Sequence, residues 1–196
     1  MAFKDLVDAV DSDKTGRDRL IAVYIGILAV LLAVCGVGGG NAMKDATARN
    51  IEAANTWAFF QAKNIRRHEL RLQTAEFEVL LATQPNLSDT ARSLIDEKLK
   101  KYRSDEMRLT SEPDTGEGVE ELKVKAKTLE VQRDRAMVKD PYFDYGQALL
   151  QIAIVLASVA IITGGTVLLV LSAVLAGIGT LSTLNGFLLF FSGPFL

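Results

Sequence analysis

The sequence predicts an all-α membrane protein: three transmembrane helices, with a long coiled-coil-like helical insert between the first and the second. Three observations lead there. Residues 20–37, LIAVYIGILAVLLAVCGV, carry no charge, and neither do residues 147–191. The chain between them is dense in charge, and residues 41–83 contain neither Pro nor Gly. A composition of 49% hydrophobic and 23% charged residues therefore averages two populations, the pattern of a membrane protein with one soluble insert.

Taken in order, residues 1–19 begin with Phe3, Leu6, Val7 and Val10 at helical spacing, opposite Lys4, Asp5, Asp8 and Asp11. This is a short amphipathic helix that lies on the membrane surface or packs against a neighbouring subunit. Its acidic polar face suits anionic lipid poorly.

Residues 20–37 span about 27 Å at helical rise, close to the ~30 Å hydrocarbon core. A cleaved signal peptide is the rival reading. Lipoprotein cleavage fits badly, because bulky Val34 precedes Cys35. Cys35 is the single cysteine, so neither an intrachain disulfide nor a Cys-rich metal site can form. The glycines of GVGGGN, residues 36–41, lack the Lys-Ser/Thr and the preceding strand of a phosphate loop. They read as a hinge or as a place of close helix packing.

Within the 38–146 insert, setting Ile51 at heptad position a places Ile51, Ala58, Ile65, Leu72 and Val79 in one row. Position d then holds Ala54, Gln61, His68, Ala75 and Ala82. Successive a/d layers of small or aliphatic residues describe a coiled-coil seam, with Gln61 and His68 as polar layers that set register. Pro85-Asn86 ends this helix, and Ser88 or Asp89 caps the next, which runs to about Leu109. SEPDTGEG, residues 111–118, breaks the chain again. A third helix follows through Val119, Leu122, Ala126, Leu129 and Ala136, and Asp140-Pro141 ends or kinks it. A long outgoing helix with a two-piece returning arm closes the insert; a compact bundle is the alternative.

Residues 147–191 would run about 67 Å as one helix, twice what a bilayer needs. They divide into spans at 147–163 and 167–191, with the turn at Gly164-Gly165-Thr166 or else at Gly177-Ile178-Gly179. Ala173 and Gly177 form a small-xxx-small pair for close helix contact, and Asn185 is placed to hydrogen-bond a neighbouring helix. No Asp, Glu, Lys, Arg or His lies mid-membrane, which argues against transport chemistry and leaves a narrow uncharged pore open. Lys14, Arg17 and Arg19 favour a cytoplasmic N-terminus and a periplasmic insert, whereas Lys127, Arg133, Arg135 and Lys139 pull the other way.

NTWAFFQAKNIRRHELRLQ, residues 55–73, gathers the only Trp, Trp57, and the only His, His68, with Phe59, Phe60 and an arginine pair. A metal site would need further ligands, and there is no second His. His68 falls on the heptad seam, and the aromatics lie about 25–35 Å beyond the span along a continuous helix. The stretch reads as an interface. Its candidate contact residues are Trp57, Phe59, Phe60, Gln61, Ile65, His68 and Leu72, with Ala173, Gly177 and Asn185 in the last span. No catalytic, cofactor-binding or metal-binding residue is expected.

NIEAANTWAFFQAKNIR after the first span and YFDYGQALLQIAIVLASVAI entering the second resemble a bacterial family of membrane proteins known as domain of unknown function 4337. The resemblance covers most of the chain and implies three spans around one insert. It brings no activity with it. Basic residues between the last two spans, frequent in that family, are replaced here by the uncharged Gly164-Gly165-Thr166.

These readings converge on a homo-oligomeric scaffold or assembly protein of the bacterial inner membrane, without an enzymatic activity. An accessory subunit of a larger membrane complex, or an oligomeric channel lined by the last span, are the alternatives. A net charge of −2 gives no basic surface for nucleic acid. The partners expected are the lipid bilayer, further copies of the chain, or another membrane-protein complex.

Overall fold

The computed structural model describes residues 2–191, with side chains from Gly16 onward. Among these the chain is all α, with four helices and no strand. Helix α1 spans Ala2–Thr83, α2 Asp89–Thr110, α3 Val119–Thr163 and α4 Thr166–Leu188. Helices α1, α3 and α4 each contain a stretch long and apolar enough to cross a membrane, which points to a membrane location. The N-terminal stripe of Phe3, Leu6, Val7 and Val10 lies outside the described side chains.

The 82 residues of α1 form one unbroken helix, so the glycines at 36–40 make no hinge. An interior glycine costs a helix only about 1 kcal/mol relative to alanine. Close packing offsets that cost: Phe143 lies against Gly38 and Gly39. At Pro141, where the sequence allowed an end or a kink, α3 does not end but continues to Thr163. Proline removes one backbone donor, but the turn that follows is anchored, with Tyr142, Phe143 and Gly146 all buried. The Tyr142 hydroxyl donates to the Phe191 carbonyl at 2.7 Å. The break between α3 and α4 falls at Gly164 and Gly165. Gly164 has φ +67°, backbone that glycine adopts without strain, while Gly177 and Gly179 lie inside α4.

The chain divides into two compact units, residues 1–46 with 134–196 and residues 47–133. In the first, α1, α3 and α4 meet through small residues. Alanines at 153, 157 and 160 on α3 are fully buried, as is Leu150. Phe143 and Phe187 meet edge to face at 4.9 Å. Gly146 of α3 and Gly179 of α4 lie so close that a methyl on Gly146 would stand 3.1 Å from the Gly179 carbonyl oxygen. Polar groups finish the contact: Ser172 donates to the Ala153 carbonyl at 2.6 Å and pairs with the Tyr24 hydroxyl at 3.1 Å.

In the second unit, α1 lies antiparallel to a returning arm made of two pieces. Nearest the α1–α2 turn, Phe77 stacks on Tyr102 at 6.0 Å, Arg103 pairs with Glu78 at 2.7 Å, and Arg71 pairs with Glu106. Further down α1, Lys63 meets the loop between α2 and α3, 3.3 Å from Glu117 and 3.8 Å from Glu112. Beyond it, Trp57 Nε1 donates to Glu130 of α3 at 2.9 Å, and Arg133 donates to Asn50 at 3.3 Å. Ile95 and Leu99 of α2 and Val119, Leu122, Ala126 and Leu129 of α3 are the buried apolar residues of the arm. The loop is closed by Glu121 in the first turn of α3. It accepts from the Ser111 hydroxyl at 2.5 Å and from the Glu112 amide at 3.3 Å.

The face of α1 turned toward these partners keeps a strict seven-residue interval. One row is Ile21, Leu28, Cys35 and Ala42 in the first unit, all buried; at the same interval Thr56 is buried and Lys63, Leu70 and Phe77 half-buried in the second. A parallel row runs through Ala53, Phe60, Arg67, Thr74 and Leu81, buried or half-buried. With Ile51 at a, these are heptad positions f and c.

Candidate functional site

The seam read from the sequence is therefore not the seam used within the chain. Ile51, Ala58, Ile65, Leu72 and Val79 at a, and Ala54, Gln61, His68, Ala75 and Ala82 at d, are all exposed. Helical geometry explains this, because a/d and c/f rows lie on nearly opposite sides of a helix with a seven-residue repeat. The four large aliphatics Ile51, Ile65, Leu72 and Val79 are between 57% and 66% exposed.

The aromatic cluster divides between the two faces. Phe60 turns inward and meets Trp57 edge to face at 5.3 Å. Trp57 is half-buried and committed to Glu130 through its indole N–H. Phe59 remains on the outer flank with the Lys63 ammonium 4.9 Å from its ring centre, a cation–π distance. Gln61, Ile65, His68 and Leu72 lie together on the exposed face. The stretch thus contributes both to the intrachain packing and to an outer surface, which its composition could not separate.

The candidates in α4 also divide. Ala173 and Gly177 are exposed, with open space around Gly177. Asn185 is buried and serves its own chain: its Nδ2 donates to the Phe191 carbonyl at 3.0 Å and its Oδ1 accepts from the Phe191 amide at 2.9 Å. It closes the C-terminal end of α4, in place of the neighbouring helix expected from sequence.

Sequence reasoning missed Ser172 and Tyr24 as a polar pair. Ser172 is fully buried and bridges α1 and α3 from α4. Its signal was the single tyrosine in the first span, whose hydroxyl needs a partner when held away from water. Cys35 is also accounted for: its thiol donates to the Phe143 carbonyl at 3.2 Å. Among the described residues, no group of three or more His, Cys, Asp or Glu side chains is gathered as metal ligands would be.

The arrangement offers an extended surface: a row of aliphatics flanked by alanine, glutamine and histidine on a helix packed from behind by the returning arm. No curated protein and no solved structure matches the chain. Residues 17–189 match the domain of unknown function (DUF4337), and on that match, which takes in both units, the chain belongs to the DUF4337 family.

Proposed function

We propose that this protein is a scaffold or assembly subunit that works as a homo-oligomer in the bacterial inner membrane, with no catalytic activity of its own. Its apolar stretches at 20–37, 147–163 and 167–191 are the three spans, and the insert between the first two is a helical, coiled-coil-forming arm. The basic residues Lys14, Arg17 and Arg19 support a cytoplasmic N-terminus, which puts the arm in the periplasm.

One observation carries the reading. In the insert, Ile51, Ile65, Leu72 and Val79 stand exposed in a single heptad row. Burying a side chain of this size is worth about 1.5–3 kcal/mol, so four in line supply a substantial drive toward association. A closed symmetric assembly covers such a row with the fewest different parts.

The test is the mass of the mildly solubilised native particle. An integer multiple of the 21.3 kDa chain, greater than one, supports the reading. A particle that requires other polypeptides makes the chain an accessory subunit and overturns it, as does a single copy. Trp57→Ala is not a clean probe of assembly, because it also removes the bond to Glu130 within the chain.

A further inference from the structure

The exposed heptad does not begin at Ile51. Counting back in sevens from Ile51 reaches Lys44, Val37, Val30 and Val23, and all of these are exposed. Counting back from Ala54 reaches Thr47, Gly40, Ala33 and Gly26, again exposed. Beside them at position g stand Ala22, Ala29 and Gly36, also exposed. In the apolar part of α1 the outer side is therefore a valine row flanked on one side by two rows of glycine and alanine. Around Gly26, Gly36 and Gly40 a methyl group would meet open space.

Two solvents act on this one pattern. In lipid an exposed valine needs no explanation, but repeated small residues let a second backbone come close, where packing and not hydrophobicity holds helices together. In water the relation inverts, and the exposed aliphatics at 51, 65, 72 and 79 are what needs cover. A partner that satisfies both must be a helix that crosses the lipid and continues into water with the same seven-residue period. That period, held from 23 to 82, is the sequence condition for a left-handed supercoil. Helix α1 of a second copy meets each requirement.

We infer that α1 pairs in parallel and in register with α1 of a second copy along positions a and d, from Val23 to Ala82. The inference rests on the homo-oligomer proposed above and names the surface that builds it. Two copies inserted in the same sense send α1 out of the membrane in the same direction, which selects the parallel pair. Charges agree with that choice. In a parallel pair each g residue faces the e residue five positions on in the other helix, so Arg71, which also pairs with Glu106 of its own chain, meets Glu76 of the second copy, and Asn64 meets Glu69. The remaining combinations in the insert, Met43 with Ala48, Asn50 with Asn55, Trp57 with Ala62 and Glu78 with Thr83, bring no like charges together. Gln61 and His68 meet their own counterparts as polar layers, which penalise a shifted register. Lys44 is the one charged residue in the two rows, at the edge of the apolar stretch, where a long side chain extends its ammonium out of the seam.

Disulfide trapping in native membranes tests this with the full chain. The native Cys35 is buried and bonded to the Phe143 carbonyl, so the unaltered protein is the background. Ala33→Cys, Ala54→Cys and Ala75→Cys each place a thiol at position d, where a residue faces itself across a parallel in-register pair within the roughly 4.4–6.8 Å Cα separation a disulfide spans. Each variant should give a covalent dimer on oxidation, and Gln73→Cys, exposed at position b, should give none above background. Dimer from Gln73→Cys matching that from Ala75→Cys overturns the inference, as does no dimer from any d position. If the native particle is still a multiple of the single chain, the homo-oligomer stands and another face builds it. Crosslinks from the d positions to a different polypeptide overturn both.

Discussion

In the unit formed by residues 1–46 and 134–196, the closest helix contacts are made by glycine, alanine and backbone carbonyls. In the unit formed by residues 47–133 they are made by long side chains: Lys63 to Glu117, Arg103 to Glu78, Trp57 to Glu130, Phe77 on Tyr102. One helix, α1, serves both with the same heptad rows. The difference follows from the solvent each stretch is built for. Between apolar helices in lipid, burial of further apolar surface gains little, so contact depends on backbone approach and on the few hydroxyls that find a carbonyl. In water, apolar burial drives association, and charged side chains can frame it at little cost.

The sharpest way to break the first unit is to remove Phe143. Its ring is 2% exposed and fills the space left by Gly38 and Gly186, so Phe143→Ala should cost about 3–5 kcal/mol. Unfolding in mixed micelles, followed by helical circular dichroism, would show it; a loss below about 1 kcal/mol would mean that these glycines pack as well without the ring.

A pair of leucines sharpens the contrast between the two faces of the arm. Leu122→Ala, on the buried side of α3 at 4% exposure, should destabilise the chain by about 2–5 kcal/mol. Leu72→Ala, at 66% exposure, should change the stability of the dissociated chain by no more than about 0.5 kcal/mol. The same denaturant titration on both, with native mass recorded beside it, separates folding from assembly. Equal losses of stability would contradict the assignment of faces.

Smaller still is Ser172→Ala. It removes the bond to the Ala153 carbonyl and strands the Tyr24 hydroxyl, at an expected cost of about 0.6–1.7 kcal/mol. Tyr24→Phe made together with it should recover part of the loss in a double-mutant cycle; strict additivity would show that the two hydroxyls do not act together.

The least effect is electrostatic. The Ser111 hydroxyl, with backbone N–H groups, holds the Glu121 carboxyl below its ordinary 4.5. A carboxyl lowered on folding adds stability above its unfolded value, and that stability fades as pH falls through the folded one. Its contribution to the melting temperature should therefore be level above about pH 5 and fade in acid, so the acid decline should be shallower in Glu121→Gln. An unchanged acid limb in the variant would remove Glu121 from the account.

Much of this was legible before any coordinates. Charge-free runs marked three stretches suited to lipid, and the glycine pair at 164–165 marked the break between the last two. The absence of Pro and Gly from 41–83 marked a long helix. The side of that helix used within the chain was not legible. Its packed rows contain Thr56, Lys63, Arg67 and Thr74, which read as solvent-facing until Glu112 and Glu117 are seen beside Lys63. The opposite rows hold Ile51, Ile65 and Leu72, which read as core.

The sequence by itself determined the family, the all-α class and the seven-residue period of α1, because these depend on local composition and spacing. Tertiary structure alone decided which row turns inward, that Gly36–Gly40 stay helical, and that α3 runs through Pro141. Those outcomes depend on what stands opposite: the Phe143 ring against Gly38, the returning arm against Trp57 and Phe77. A periodic helix carries more than one row able to pack, and only the partner chooses between them.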